Sequence, residues 1–126
     1  AFDDVKAQFP AELDAFRNHP DQYDISRIGG ETFQQVIDRM TPGIQAIVAA
    51  NPQPKANVLI VSHGAALNAE INALLGTPLP DLRKRGGIRN TSLTVLETTD
   101  GGQSFNLLDW NDTSFLTAAA SPTDTI

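Results

Sequence analysis

The Ser-His-Gly motif centred on His63 is the part of the sequence best placed to do chemistry. Four apolar residues, 58–61, precede the motif, and a helical pattern begins at Ala65. In open α/β sheets, ligands bind where the carboxyl end of a strand meets the next helix, because that helix end offers unpaired amide donors and the positive end of the dipole. His63 lies at such a junction, and Gly64 lets a ligand approach the backbone closely.

The residue types at this junction suit a phosphate group. A protonated His63 can donate a charge-assisted hydrogen bond to a phosphoryl oxygen and stabilise the charge that develops during phosphoryl transfer. The amides of Gly64 and Ala65 are expected to point the same way. The alternative is a histidine satisfied by local hydrogen bonds at the end of a strand, and the motif by itself leaves both interpretations open.

Other catalytic arrangements are missing from the 126 residues. The nucleophile elbow G-x-S-x-G, the dinucleotide motif G-x-G-x-x-G and the P-loop pattern do not occur. There is no cysteine, and His19 and His63 have no recognisable zinc spacing. His19 lies in a polar stretch typical of a solvated loop, and Glu31 opens a helix, where its carboxylate complements the helix dipole.

Composition and charge restrict the classes of function. A formal net charge of −6 argues against a general nucleic-acid or membrane-surface role, because both need a basic footprint. No apolar run approaches the roughly 18 residues of a membrane span, and the acidic N-terminal stretch is unlike a signal peptide, so we expect a cytoplasmic protein. Four of the nine basic residues nevertheless fall within seven positions, where they form either a solvated loop or an attractor of anions: Arg83, Lys84, Arg85 and Arg89.

Apolar spacing predicts the elements that position His63. Helical periodicity predicts three helices, at 2–16 with an interruption or bend near Pro10, at 31–48 with Pro42 inside, and at 65–75. The continuous apolar run 58–61 predicts a strand buried on both faces, and alternation over 91–110 predicts an antiparallel hairpin. This order predicts an α/β fold, a three-layer α/β/α sandwich. Because three strands make a thin sheet, the fold is expected to be incomplete.

Three stretches of the sequence resemble the C-terminal part of the histidine phosphatase superfamily, which includes phosphoglycerate mutases, fructose-2,6-bisphosphatases and broad-specificity phosphomonoesterases. They are GGETFQQVIDRMTP, VLIVSHGAALNAEINALLG, and RNTSLTVLET followed by FNLLDWNDTSFL. They resemble, in turn, the family's Gly-Glu-Ser/Thr helix, its second histidine motif and its closing strands. The resemblance implies a phosphoglycerate mutase-like fold, with 1–126 as the C-terminal part of one domain and 116–126 as a flexible tail.

The resemblance also implies phosphomonoester hydrolysis or phosphoryl transfer through a phosphohistidine. In the family, a histidine in an Arg-His-Gly motif attacks phosphorus, a glutamate protonates the ester oxygen, and a second histidine helps to hold the phosphoryl group. The resemblance implies that His63 is this second histidine and that Gly64 and Ala65 belong to the phosphate pocket. No Arg-His-Gly occurs in the sequence, so we expect a C-terminal fragment that lacks the nucleophile and is inactive alone.

The resemblance favours a phosphatase over a mutase. Mutases of the family tend to carry a long insertion before the Gly-Glu-Ser helix and often Asn after the His-Gly pair, whereas here the segment 1–30 before that helix is short and Ala65 follows the pair. Tyr23 and Arg27 are candidates to contact the part of a phosphorylated small molecule beyond the phosphate, although ordinary loop exposure explains them too. Neither a metal nor an organic cofactor is implied. The alternative to an enzyme is a non-catalytic phosphate-binding or interaction module.

Overall fold

The computed structural model describes residues 2–118 and residue 121. Its helices are α1 (Phe2–Gln8), α2 (Pro10–Asn18), α3 (Phe33–Ala50) and α4 (Gly64–Leu74), and its strands are β1 (Leu93–Glu97) and β2 (Asn106–Asp112). Short 3₁₀ turns at Ser26–Ile28 and Leu79–Asp81 lie in the connections. The predicted helices and the predicted hairpin are confirmed. Most of the predicted tail, 116–126, lies outside the described residues.

The two helical prolines act differently. Pro10 occupies the first position of α2, where its missing N–H would have no helical partner anyway, and the predicted interruption near Pro10 separates α1 from α2. Pro42 lies inside α3, which continues through it as one helix of 18 residues. A capping box fixes where α3 begins: Thr32 Oγ1 accepts from the Gln35 amide at 3.2 Å, and Gln35 Oε1 accepts from the Thr32 amide at 2.8 Å.

Strands β1 and β2 form an antiparallel pair, and the turn between them is organised by Asp100. The Asp100 carboxylate accepts hydrogen bonds from the Ser104 hydroxyl, the Ser104 amide at 2.9 Å, the Thr98 hydroxyl at 3.0 Å and the Gln103 amide at 3.0 Å. These bonds, led by the one from the Ser104 side chain, lower the pKa of Asp100 to about 2. The turn is therefore held by an ionised carboxylate at any physiological pH.

The predicted buried strand at 58–61 is wrong for this structure. Within the described residues the segment pairs with no other strand, and the sheet contains only β1 and β2. The side chains of Val58, Leu59, Ile60 and Val61 are 48, 78, 39 and 85 % exposed. A strand needs neighbours to satisfy its amide and carbonyl groups, and the described part of this chain supplies none beside this segment.

The core is centred where α3 meets α4. Phe33 at the start of α3, Ala69 in α4 and Leu82 form one buried cluster, with exposures of 4, 1 and 1 %. The aromatic rings of Phe16 and Tyr23 pack against this cluster. Leu82 therefore ties the loop after α4 to both helices.

Helix α4 also buries polar side chains. Asn68, Glu70 and Asn72 are each at most 1 % exposed. Asn68 Nδ2 donates to the Gly86 carbonyl at 2.9 Å, Asn72 Nδ2 donates to the Asn68 carbonyl at 2.8 Å, and the Thr41 hydroxyl lies 2.9 and 3.1 Å from the two Glu70 oxygens. Polar contacts, and not only apolar ones, therefore hold α4 against α3 and the loop after α4.

Glu70→Gln is expected to stabilise the protein at neutral pH. Burial raises the pKa of Glu70, and the hydrogen bond from Thr41 offsets this only in part. The folded state therefore binds the proton more tightly, and stability falls as pH rises from the unfolded pKa of about 4.3 through the raised folded value. Glutamine keeps an acceptor for Thr41 without the charge. Urea unfolding should show that the free energy of unfolding rises by on the order of 1 kcal/mol at pH 7 and depends less on pH than in the wild type.

Glu97→Gln is the matched control, because Glu97 is exposed at the end of β1. The free energy of unfolding of Glu97→Gln should fall with rising pH as it does in the wild type. A Glu70→Gln profile with the same slope as the wild type would contradict the assignment of that decline to Glu70.

Candidate functional site

His63 is the residue that precedes the first turn of α4. Its backbone is extended, with φ −111° and ψ 148°, and its carbonyl accepts the Leu67 amide at 2.8 Å. The side chain makes no capping hydrogen bond and is exposed, and the described residues give it no hydrogen-bond or ion-pair partner. The imidazole is therefore available to a ligand at the amino end of the helix.

The first backbone amides of α4 belong to the same candidate site at the amino end of the helix. Gly64 and Ala65 occupy the first two helical positions and are half-buried. Amides at these positions have no carbonyl partner within their own helix, and the helix dipole adds partial positive charge there. His63, Gly64 and Ala65 are thus consecutive residues at the amino end of α4, a kind of position suited to an anion, and their contact with a phosphate stays a prediction.

Tyr23 lies in an aromatic cluster with Phe16 and Phe33. Its ring centroid is 5.3 Å from that of Phe16 and 5.2 Å from that of Phe33. Burial, and then the negative charge of Glu12, raise the pKa of the Tyr23 hydroxyl. The ring packs against the core at the start of α3, so Tyr23 is more than an exposed loop residue.

Arg27 is held by its neighbours. Its guanidinium donates to the Glu12 carboxylate and lies 5.0 Å from the centre of the Phe9 ring. Among the described residues, no hydrogen bond or ion pair joins Tyr23 or Arg27 to His63. Their contact with a substrate therefore stays a prediction.

Glu31, the other candidate acid, and His19, the other histidine, each have a side-chain partner nearby. Glu31 forms a two-point ion pair with Arg39, with Nε and Nη2 at 2.9 and 2.8 Å from the two carboxylate oxygens. The hydrogen bonds from Arg39 lower the pKa of Glu31, which favours an ionised structural carboxylate over a general acid. His19 is exposed, with Nε2 3.9 Å from an Asp14 oxygen.

The basic cluster divides into residues with different surroundings. Lys84 Nζ lies 2.8 Å from an Asp81 oxygen, and Arg89 Nη1 donates to the Thr113 hydroxyl at 3.3 Å. Arg83 instead places its guanidinium 4.5 Å from the centre of the Phe16 ring, and its Nη1 is enclosed without a hydrogen-bond partner among the described residues. The sequence singles out the cluster by its charge density, but it carries no signal for a contact with an aromatic ring of α2.

The described residues contain neither a cluster of metal-binding side chains nor a membrane-spanning helix. Across 2–118 and 121, no group of three or more His, Cys, Asp or Glu side chains is arranged to hold a metal ion. In the same part of the chain, no helix is long and apolar enough to cross a membrane.

Comparison with known proteins places the chain in a family. Residues 1–113 match the model of the histidine phosphatase superfamily, branch 1. No curated protein sequence matches the chain. The YhfR protein of Bacillus stearothermophilus is 33 % identical, with a TM-score of 0.72 over 87 % of this chain and 52 % of its own.

Mycobacterial structures show the same similarity. A glucosyl-3-phosphoglycerate phosphatase in complex with inorganic phosphate has a TM-score of 0.78 at 26 % identity, covering 93 % of this chain and 58 % of its own. A mycobacterial hydrolase has a TM-score of 0.74 at 28 % identity, covering 86 % of this chain and 54 % of its own. The chain thus spans about half the length of the structures it matches, and the fold is that of their phosphoglycerate mutase-like domain, incomplete. Since the family model covers nearly the whole sequence, this chain belongs to the histidine phosphatase superfamily.

Proposed function

We propose that this chain supplies the second active-site histidine, His63, of an enzyme that hydrolyses phosphomonoesters or transfers their phosphoryl group through a phosphohistidine. The position of His63 carries the proposal. Its exposed imidazole belongs to the residue directly before Gly64 and Ala65, the first two residues of α4, in a chain that belongs to a phosphatase superfamily.

In the proposed reaction, a histidine outside these 126 residues attacks phosphorus. The bond from phosphorus to the ester oxygen breaks, and that oxygen takes a proton from a carboxylic acid. For hydrolysis, water then attacks the phosphohistidine, which releases inorganic phosphate and frees the nucleophile. His63, Gly64 and Ala65 hold the phosphoryl oxygens and stabilise the charge that they gain as the bonds change.

Three observations support a nucleophile outside this chain. The sequence has no Arg-His-Gly motif, and the chain spans only 52 to 58 % of the matched structures named above. The apolar run 58–61, directly before the motif of His63, is exposed and unpaired. We propose that residues 1–126 are the C-terminal part of one domain, and that strands from the rest of that domain cover this run.

The proposed substrate is a phosphorylated small molecule, in a cytoplasmic enzyme that needs no metal or organic cofactor. One similar structure is a glucosyl-3-phosphoglycerate phosphatase, and that activity, together with its complex with inorganic phosphate, favours hydrolysis over a mutase reaction. Tyr23 and Arg27 are proposed to contact the substrate beyond its phosphate. Tyr23 fits this role through its place in the aromatic cluster beside α3.

His63→Ala should abolish most of the phosphatase activity of the full-length protein. Removing one donor that stabilises charge in a transition state typically slows catalysis by about 10² to 10³-fold. His19→Ala is the matched control, because His19 is the other histidine and is exposed, with Nε2 3.9 Å from an Asp14 oxygen. Hydrolysis of p-nitrophenyl phosphate gives the rates, and vanadate inhibition gives the occupancy of the phosphate site.

The same experiment separates the proposal from its alternatives. The 126-residue chain alone should be inactive, and activity from it would show that the nucleophile lies within the chain. A full-length protein that binds vanadate through His63 but hydrolyses nothing would be the non-catalytic phosphate-binding module. Equal vanadate inhibition of the wild type and His63→Ala would contradict the site itself.

Val61→Asp should strongly destabilise the full-length protein, although Val61 is 85 % exposed in this chain. If other strands cover residues 58–61, the substitution buries an unpaired charge, which typically costs several kcal/mol. Ile28→Asp is the control, since Ile28 is 57 % exposed on a 3₁₀ turn. Thermal unfolding of both variants measures the difference. A small, equal effect of the two substitutions would argue against a covered strand.

A further inference from the structure

We propose that Asn111, in strand β2, is a positioning residue for the phosphate site at His63. Its side chain holds the loop 86–89, and that loop is bound in turn to α4, one helical turn from the amino end of the helix. The inference rests on the function proposed above, because the site that Asn111 positions is the proposed phosphate site. Asn111 touches no reacting atom in this role and acts through the loop and the helix.

The backbone of Asn111 is the first support. Its φ is 57°, in the left-handed region that residues other than glycine, asparagine and aspartate rarely adopt. Between the two pairs of opposed residues that flank Asn111, β2 has one residue more than β1, which makes a β-bulge. These pairs are Leu93 with Asp112 and Val95 with Asp109. Because a bulge turns a side chain out of the regular alternation of its strand, Asn111 can face the loop 86–89.

The second support is the pair of hydrogen bonds from the Asn111 side chain to this loop. Its Nδ2 donates to the Gly87 carbonyl at 3.2 Å, and its Oδ1 accepts from the Arg89 amide at 2.8 Å. Both ends of the side-chain amide are therefore used, the donor and the acceptor each in its own role. Ile88, between the two bonded residues, is buried. The loop is therefore fixed in position relative to β2.

The third support is the contact of the same loop with α4. Asn68 Nδ2 donates to the Gly86 carbonyl at 2.9 Å, and Asn68 is 1 % exposed. In the described part of the chain, no hydrogen bond joins α4 directly to β1 or β2, so the loop 86–89 makes the hydrogen-bonded connection. The consecutive carbonyls of Gly86 and Gly87 thus bind a helix on one side and a strand on the other.

Asn68 connects the loop to the phosphate site. The His63 carbonyl accepts the Leu67 amide at 2.8 Å, and Asn68 is the residue after Leu67. In the α-helical pattern, the Asn68 amide pairs with the carbonyl of Gly64, whose own amide belongs to the site. A shift of the loop therefore moves His63 and the first amides of α4 together. A misplacement of about 1 Å at a reacting centre can slow catalysis by about 10²-fold.

Asn111→Gly in the full-length protein tests the inference. Glycine adopts the same left-handed φ without strain but makes neither side-chain hydrogen bond. With p-nitrophenyl phosphate we expect kcat to fall about tenfold or more. The vanadate inhibition constant should rise by a similar factor, because vanadate resembles the transition state that the site binds. Asn106→Gly is the matched control, since Asn106 is exposed in the same strand, and it should leave both constants close to their wild-type values.

The vanadate inhibition constant separates positioning from a loss of active molecules. The assays are made at a temperature where thermal unfolding shows each variant to be folded. A smaller number of active molecules lowers kcat alone, whereas a misplaced site changes both constants. An unchanged vanadate constant in Asn111→Gly overturns the inference, and so does an equal change in Asn106→Gly.

Two further variants keep the test decisive. If Asn111→Gly does not unfold cooperatively, Asn111→Asp replaces it, because aspartate tolerates the same φ and keeps the acceptor for Arg89 but loses the donor to Gly87. The same rise in the vanadate constant is expected, and its absence overturns the inference. Asn68→Ser removes the bond on the other side of the loop, so combining it with Asn111→Gly should raise the constant less than the two single effects predict together. Independent effects of the two substitutions overturn the connection through the loop.

Measurements on the wild type distinguish this inference from the proposed function. If the full-length wild type neither hydrolyses p-nitrophenyl phosphate nor binds vanadate, the proposed function fails and the inference fails with it. If the wild type does both, and Asn111→Gly behaves like Asn106→Gly, the inference alone fails.

Discussion

The packing of α4 against α3 and the loop after α4 is the constraint on which the rest of the structure depends. Ala69 meets Phe33 and Leu82 in the buried core, and small size at Ala69 allows both larger side chains to reach the helix. The same contact fixes the direction in which the amino end of α4 points. His63 is at that end, so the placement of the candidate phosphate site follows from apolar packing several residues away.

Polar contacts on α4 make this placement specific. An apolar cluster tolerates sliding and repacking, whereas Asn68 and Glu70 are satisfied only when the Gly86 carbonyl and the Thr41 hydroxyl are in place. The buried carboxylate costs stability because burial opposes its ionisation. The same polar contacts define a single register of α4 relative to α3, and therefore a single geometry for the site at the amino end of α4.

The sequence predicts the elements whose evidence is local. Apolar spacing identifies the helical segments, turn residues identify the hairpin, and the motif at His63 identifies the candidate site. The strand at 58–61 is predicted but does not form, because strand pairing depends on partners distant in sequence or outside this chain. In α4, apolar spacing points to Leu67 and Leu74 as core, yet both are only half-buried, while Asn68, Glu70 and Asn72 are fully enclosed. Hydrogen-bond partners, which the sequence does not reveal, decide that difference.

The exposed run 58–61 also affects how the chain behaves in solution. It contains three β-branched residues and no charge, and its backbone has no strand partner in the described part of the chain. Such a segment is a template onto which another extended chain can add, including the same segment of a second molecule. Self-association of the isolated chain should therefore rise steeply with concentration, while its helices remain folded. In the proposed complete domain these four residues lie inside a sheet, and in the isolated chain they are its most aggregation-prone part.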